Sequence, residues 1–247
     1  MKSLHALSLI IYLLLFPLDF AIAETKQFLN LEHTISEAEN GNKEAQYLLA
    51  ALYESGRKGV KKNPHKAFDW NKKSAEQGHT GAQLALARAY YSGLGVRQNF
   101  TKSVVWTEKA ANAGDKGAQY LMGMHYKQGL GIKKDLSKAV EWYKKSANQG
   151  HVKAQSSLTI SYYMGIGTGK NFPLAALWAR SAADQNDGDA QIILGAFHLN
   201  GIIVKEDHIM AMEYFGKACD NNVQAGCDFY RKAHETLLKK KLKAENN

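Results

Sequence analysis

Residues 114–149 read GDKGAQYLMGMHYKQGLGIKKDLSKAVEWYKKSANQ, and the reading of this stretch decides the fold. From Ala118, apolar or small residues recur at Met122, Gly123 and Tyr126, which is one face of an α-helix. Gly129 ends that helix, Gly131 supplies a second backbone position without Cβ restriction, and Ile132 anchors the turn. Asp135 is a residue type that starts helices, and Ala139, Trp142 and Ser146-Ala147 again fall at helical spacing. The segment is a helix–turn–helix unit.

The unit recurs. Trp70, Trp106, Trp142 and Trp178 lie 36 residues apart, and Tyr214 falls 36 further on. The dipeptide Ala-Gln keeps the same period at Ala45-Gln46, Ala82-Gln83, Ala118-Gln119, Ala154-Gln155 and Ala190-Gln191. Only the first interval is 37, because the Gly56–Gly59 turn holds one extra residue. Gly56, Gly93, Gly129, Gly165 and Gly201 close the first helices; Asn63, Asn99, Asp135, Asn171 and Asp207 open the second. Each pair is too small to bury its own apolar face, so neighbours must stack into a solenoid. The small residue at the Gly123 position lets a helix approach closely, and the first-helix tyrosine is expected to fill the gap beside it.

The expected organisation is all-α. A signal peptide occupies 1–23, with Lys2, an apolar run from Leu7 to Leu15, and Ala21-Ile22-Ala23 before Glu24. An N-terminal capping helix falls within 24–40. Five units follow over 41–77, 78–113, 114–149, 150–185 and 186–220, the fifth degenerate, with His198 for the tyrosine and Ile203 for the second glycine. A C-terminal capping helix with a basic tail occupies 221–247, where Leu237, Leu238 and Leu242 alternate with lysines.

The composition agrees. With 45% hydrophobic and 22% charged residues, the 247-residue chain is too apolar for disorder and too polar for a multi-span membrane protein. Three prolines against 21 glycines exclude a proline-rich linker, and two cysteines exclude a disulfide-dense miniprotein. A net charge of +9 favours an acidic or anionic partner. The apolar run is short for a bilayer span and is followed by Pro17 and Asp19, so no stable membrane anchor is expected.

The pattern Ala-Gln-x-x-Leu-Gly-x-x-Tyr-x-x-Gly-x-Gly-Val, followed by Lys-Ala-x-x-Trp-Tyr-x-Lys-Ala-Ala, resembles the Sel-one-like repeat (SLR) over roughly residues 41–220. Departures are Ser103 for alanine, Thr159 for glycine and Leu174 for lysine. The resemblance implies a right-handed α/α superhelical solenoid of about five units, related to tetratricopeptide arrays and used as an adaptor or protein-binding scaffold. By the same relation the first helices line the concave surface. Arg88, Tyr91, Tyr120, Met124, Lys127 and Tyr163 are then expected to form a mixed aromatic and basic groove, made of residue types enriched in interfaces.

Cys219 falls near the end of one helix and Cys227 near the start of the next, close enough for a bridge across the short loop; two unpaired thiols are the alternative. The spacing resembles that of secreted cysteine-rich SLR proteins, which bridge helices within repeats. Ser55-Gly56-Arg57-Lys58 fits Ser-x-x-Lys, but neither a Ser-Asp-Asn nor a Lys-Thr-Gly partner occurs. Gly165 to Lys170 lacks Walker spacing, and His79 and His151 share one repeat position, as repetition rather than a metal shell. No catalytic residue, cofactor or metal site is expected. The expected function is a non-catalytic, periplasmic or secreted monomer that binds a protein or peptide, with no nucleic-acid role. A penicillin or peptidoglycan-fragment binder, or a β-lactamase-like hydrolase, is the alternative.

Overall fold

The computed structural model describes residues 31–245. The expected signal peptide and the first part of the expected capping helix lie outside the described residues. Twelve helices and no strand occur among the described residues. Helix α1 covers 31–39. Five pairs follow: α2 (Lys43–Ser55) with α3 (Pro64–Glu76), α4 (Thr80–Ser92) with α5 (Phe100–Asn112), α6 (Lys116–Gln128) with α7 (Leu136–Asn148), α8 (Val152–Met164) with α9 (Phe172–Ala183), and α10 (Gly188–Leu199) with α11 (His208–Asp220). The long α12 (Gln224–Glu245) ends the chain. The chain forms two compact units, one up to Trp106 and one from Thr107 onward. In the first, α2 packs on α3 and α3 on α4; in the second, each helix from α6 to α12 packs on the next.

The repeat is built from backbone punctuation. Asn63, Asn99, Asp135, Asn171 and Asp207 each accept the backbone N–H three residues on, at 2.9–3.1 Å, and so cap the second helices as expected. The first helices carry the same device in Asn42, His79, Asp115, His151 and Asp187. The two histidines there accept through Nδ1, from Ala82 at 3.1 Å and Ala154 at 3.3 Å, which is why they recur in one repeat position. Gly95 and Gly167 take positive φ, and a Cβ on either would collide with the carbonyl of Pro64 or Leu136. The second turn glycine therefore exists for close approach between units as well as for its backbone angle. Ile203, in the corresponding position, is held at φ 60°, a costly conformation for a β-branched residue.

The Ala-Gln dipeptide is explained by packing. Its alanines are buried from Ala82 to Ala190, and its glutamines, all buried, donate to the carbonyl eight residues back: Gln46 to Ala38, Gln83 to Ala75, Gln119 to Ala111, Gln155 to Ala147 and Gln191 to Ala183, at 3.1–3.4 Å. Four of them accept from an amide one unit later, Gln77, Gln149, Gln185 or Asn221, at 2.8–2.9 Å. Gln119, Gln155 and Gln191 thus tie the end of one second helix to the end of the next, and Gln46 ties the end of α1 to the end of α3 in the same way. In α12 the pair Ala-Gln is replaced by Gly226-Cys227, and Cys227 is bridged to Cys219, again eight residues back. The disulfide is a covalent rung of the same ladder. Closing so short a loop contributes roughly 2–3 kcal/mol in the chain-entropy model.

The core corrects one expectation. The space beside Gly123 is filled by Tyr143 of the second helix and not by the first-helix Tyr126; beside Gly195 it is filled by Phe215. Both fillers follow the repeated aromatic position by one residue and are buried. Where the first-helix residue is Thr159, the second-helix residue is only Ala179, so volumes trade across the pair. The repeated indoles themselves are half-buried, and Lys73 and Lys145 lie over Trp70 and Trp142 at 4.1 and 4.0 Å from the ring centroids. These lysines therefore cover the rings.

Candidate functional site

The first helices carry the candidate binding residues, and each compact unit presents its own set. In the second unit, Tyr120 and Met124 on α6 and Tyr163 on α8 are half-buried against the unit's core, and Lys127 is exposed. Tyr120 is braced by two rings, the tilted Tyr143 at 5.7 Å and the stacked His151 at 4.8 Å. His151 is itself fixed by its capping bond, so the sequence sets one wall of the tyrosine through a helix terminus. Tyr163 is held by Phe172 and Phe197, both at 5.7 Å. In the first unit, Arg88 is exposed, while half-buried Tyr91 meets Phe100 edge-on at 5.5 Å; Tyr47 leans on His79 at 4.5 Å. Rings held in this way lose little freedom on binding, which favours recognition by their exposed edges.

Beside Tyr120 lies a polar cluster that the sequence reading passed over. Asp187 is almost wholly buried, and accepts from Lys153 at 2.9 Å, Ser156 at 3.1 Å and the Ala190 backbone at 3.1 Å. The hydrogen bond to Asp187 is the main cause of a raised Lys153 pKa, with the charges of Asp187 and Asp189 adding to it. Lys153 therefore stays charged at the edge of this face. The available signal was the N-cap position shared with Asn42, His79, Asp115 and His151. Leu84 and Ser156, which stand at the repeat position of Tyr120, two residues after the Ala-Gln alanine, are buried.

The motifs set aside have structural roles. Ser55 donates to the Ala51 carbonyl at 2.8 Å, and Lys58 sits in the turn with positive φ. Among the described residues no group of three or more His, Cys, Asp or Glu side chains could hold a metal ion, and no helix is long and apolar enough to cross a membrane.

Tandem antiparallel helix pairs, joined by glycine turns and stacked through buried alanines, define an α/α solenoid of the tetratricopeptide-related class. The Sel1 repeat pattern matches residues 43–79, 80–115, 117–151, 153–187 and 188–223, and the chain belongs to the Sel1 repeat family. Among solved structures, it is similar to a protective antigen of uropathogenic Escherichia coli with an SLR fold, at 31% identity and a TM-score of 0.76 over 79% of this chain. The match spans 42% of that protein's length. A Sel1 repeat protein from Oxalobacter formigenes matches at 28% identity and a TM-score of 0.70, over 79% of this chain and 86% of the other. An immunity protein of Pseudomonas aeruginosa shares the fold at 22% identity and a TM-score of 0.51, over 77% of this chain and 72% of the other. No curated protein matches the sequence.

Proposed function

We propose that this chain is a non-catalytic, exported scaffold that binds a protein or peptide partner on its first-helix faces. The observation that carries the reading is the set of half-buried rings held in place by neighbours. Tyr120 between Tyr143 and His151, and Tyr163 between Phe172 and Phe197, present fixed aromatic edges beside the exposed cations Lys127 and Lys153. Arg88 and Tyr91 offer the same mixture in the first unit. Such surfaces bind through a few ordered aromatic and arginine anchors, with charge selecting an acidic partner.

The bridged Cys219–Cys227 pair supports a periplasmic or secreted location, since disulfides persist in oxidising compartments. The protein acts as a monomer. Its role in the envelope is regulation, contact with a host, or neutralisation of an envelope-targeting toxin. Identification of the captured partner separates these.

The test is affinity capture from envelope and secreted fractions with the full chain and with a Tyr120→Ala/Tyr163→Ala variant. A partner retained by the parent and lost by the variant, with both equally folded by circular dichroism, supports the reading. Equal capture by both removes it. Turnover of a chromogenic β-lactam above background would overturn the non-catalytic part.

A further inference from the structure

Helix α12 is long but shallowly held. Among its described residues only Gly226 and Ala233 are buried, while Phe229, Tyr230, Leu238 and Leu242 stand exposed. By contrast, the shorter α10 buries Ala190, Gln191, Leu194, Gly195 and Phe197. Helices in proteins draw most of their stability from packing an apolar face, and α12 receives little from that source. Ala233 joins Ala211 and Phe215 in a small cluster, with Ile192, Leu199 and Met212 packed beside it, and Phe229 lies 5.4 Å from the Phe215 ring. Farther along, Lys240 pairs with Glu206 at 2.7 Å and lies 2.8 Å from His208 Nε2. Both ends of that ion pair are exposed, and such pairs contribute little.

The strongest tie is covalent, and it stands where α12 comes closest to α11. A Cβ on Gly226 would lie 2.7 Å from the Cys219 nitrogen and from Ala218 Cβ, so the two helices press together beside the bridge. Elsewhere in the ladder this place is held by a glutamine whose amide bonds a carbonyl eight residues back, a bond indifferent to redox state. At Cys227 a disulfide stands instead. A thiol is a weak hydrogen-bond donor, so the reduced cysteine cannot replace the glutamine's bond. Both cysteines are half-buried rather than enclosed.

We propose that Cys219–Cys227 is a redox latch on α12: reduction by a dithiol frees this helix alone and uncovers the apolar seat formed by Ala211, Phe215 and Leu199. The dithiol's thiolate attacks one cysteine sulfur, giving a mixed disulfide and releasing the other cysteine. Its second thiolate then closes the reductant's own disulfide and releases the first cysteine. Two electrons and two protons thereby pass from the dithiol to the cysteine pair. The bonds of Gln119, Gln155 and Gln191 involve no sulfur, so the helices from α6 to α11 stay stacked in both states. The latch uses no residue of the ring-bearing faces, so this inference and the proposed function fail independently.

The test compares hydrogen exchange, read by mass spectrometry, in the full oxidised chain and in the same chain reduced by dithiothreitol without denaturant. Reduction should speed exchange over residues 228–236 by roughly 30- to 150-fold, the loop-closure effect of so short a loop. Exchange over α8 and α9 should stay as in the oxidised chain. Cys219→Ser/Cys227→Ser should exchange fast over 228–236 with or without dithiothreitol, which separates loss of the bridge from any other action of the reagent. Unchanged exchange over 228–236 on reduction overturns the proposal, as does a serine variant as slow as the oxidised parent. Equal acceleration through α8 and α9 also overturns it, because the bridge would then staple the whole unit rather than latch one helix.

Discussion

Replacing Gly123 by alanine should change sign with its neighbour. In an exposed helix interior, glycine to alanine stabilises by about 1 kcal/mol. At Gly123, however, an added Cβ overlaps Tyr143 Cε1, and lies 2.5 Å from Cδ1 and 3.0 Å from Cζ. Tyr143 is 2% exposed and has little room to retreat. Overpacking of this kind costs about 1–3 kcal/mol, so Gly123→Ala should be neutral to destabilising by up to about 2 kcal/mol. Tyr143→Ala alone should cost about 3–5 kcal/mol as a buried ring is lost. In that background the methyl group enters vacated space, and Gly123→Ala should become stabilising by about 1 kcal/mol. Urea unfolding of the four members of the cycle measures this, with the coupling energy expected at about 1–3 kcal/mol. Stabilisation by Gly123→Ala in the parent, or the same effect in both backgrounds, would refute the close-approach account of the repeat.

Three further outcomes follow from the same structure. His125 is fully buried, and burial holds its pKa below 6.5 against the opposing pull of its bond to the Leu130 carbonyl. Below pH 6.5 the unfolded chain therefore binds more protons than the folded one, so stability is retained above that pH and lost as the pH falls through the folded-state pKa; melts from pH 8 to 5 should slope less in His125→Gln. Gln119→Ala removes two hydrogen bonds, one from the Ala111 carbonyl, which keeps the Gly114 N–H, and one from the Gln149 amide, which keeps the Gly114 carbonyl, and should cost about 1–3 kcal/mol in urea unfolding. Ile203→Gly removes a β-branched residue from φ 60° and should raise the melting temperature by about 2–4 °C, the effect of about 1 kcal/mol after the entropy cost of glycine.

What the sequence determined by itself is the punctuation. Tryptophan and Ala-Gln spacing, glycines that adopt left-handed angles, and Asn or Asp at helix starts each act within a few residues of chain. Their meaning survives without knowledge of what lies opposite, and the second-helix caps, the helical pairs and the family were legible for that reason. The possibility of the Cys219–Cys227 bridge was legible too, because its loop is short. Its place as a rung was also written there, since Cys227 stands 36 residues after Gln191, but that meaning depends on knowing what the glutamine bonds to. Only tertiary structure decided which side chain fills which gap. Tyr143 rather than Tyr126 faces Gly123 because the second helix crosses there, a matter of packing direction that spacing along one helix does not contain. The bracing of Tyr120 by His151 and the pairing of Lys153 with buried Asp187 both arise where residues about 30 positions apart in sequence converge. Local hydrogen bonds fix each helix, whereas recognition surfaces are made by the contacts between them.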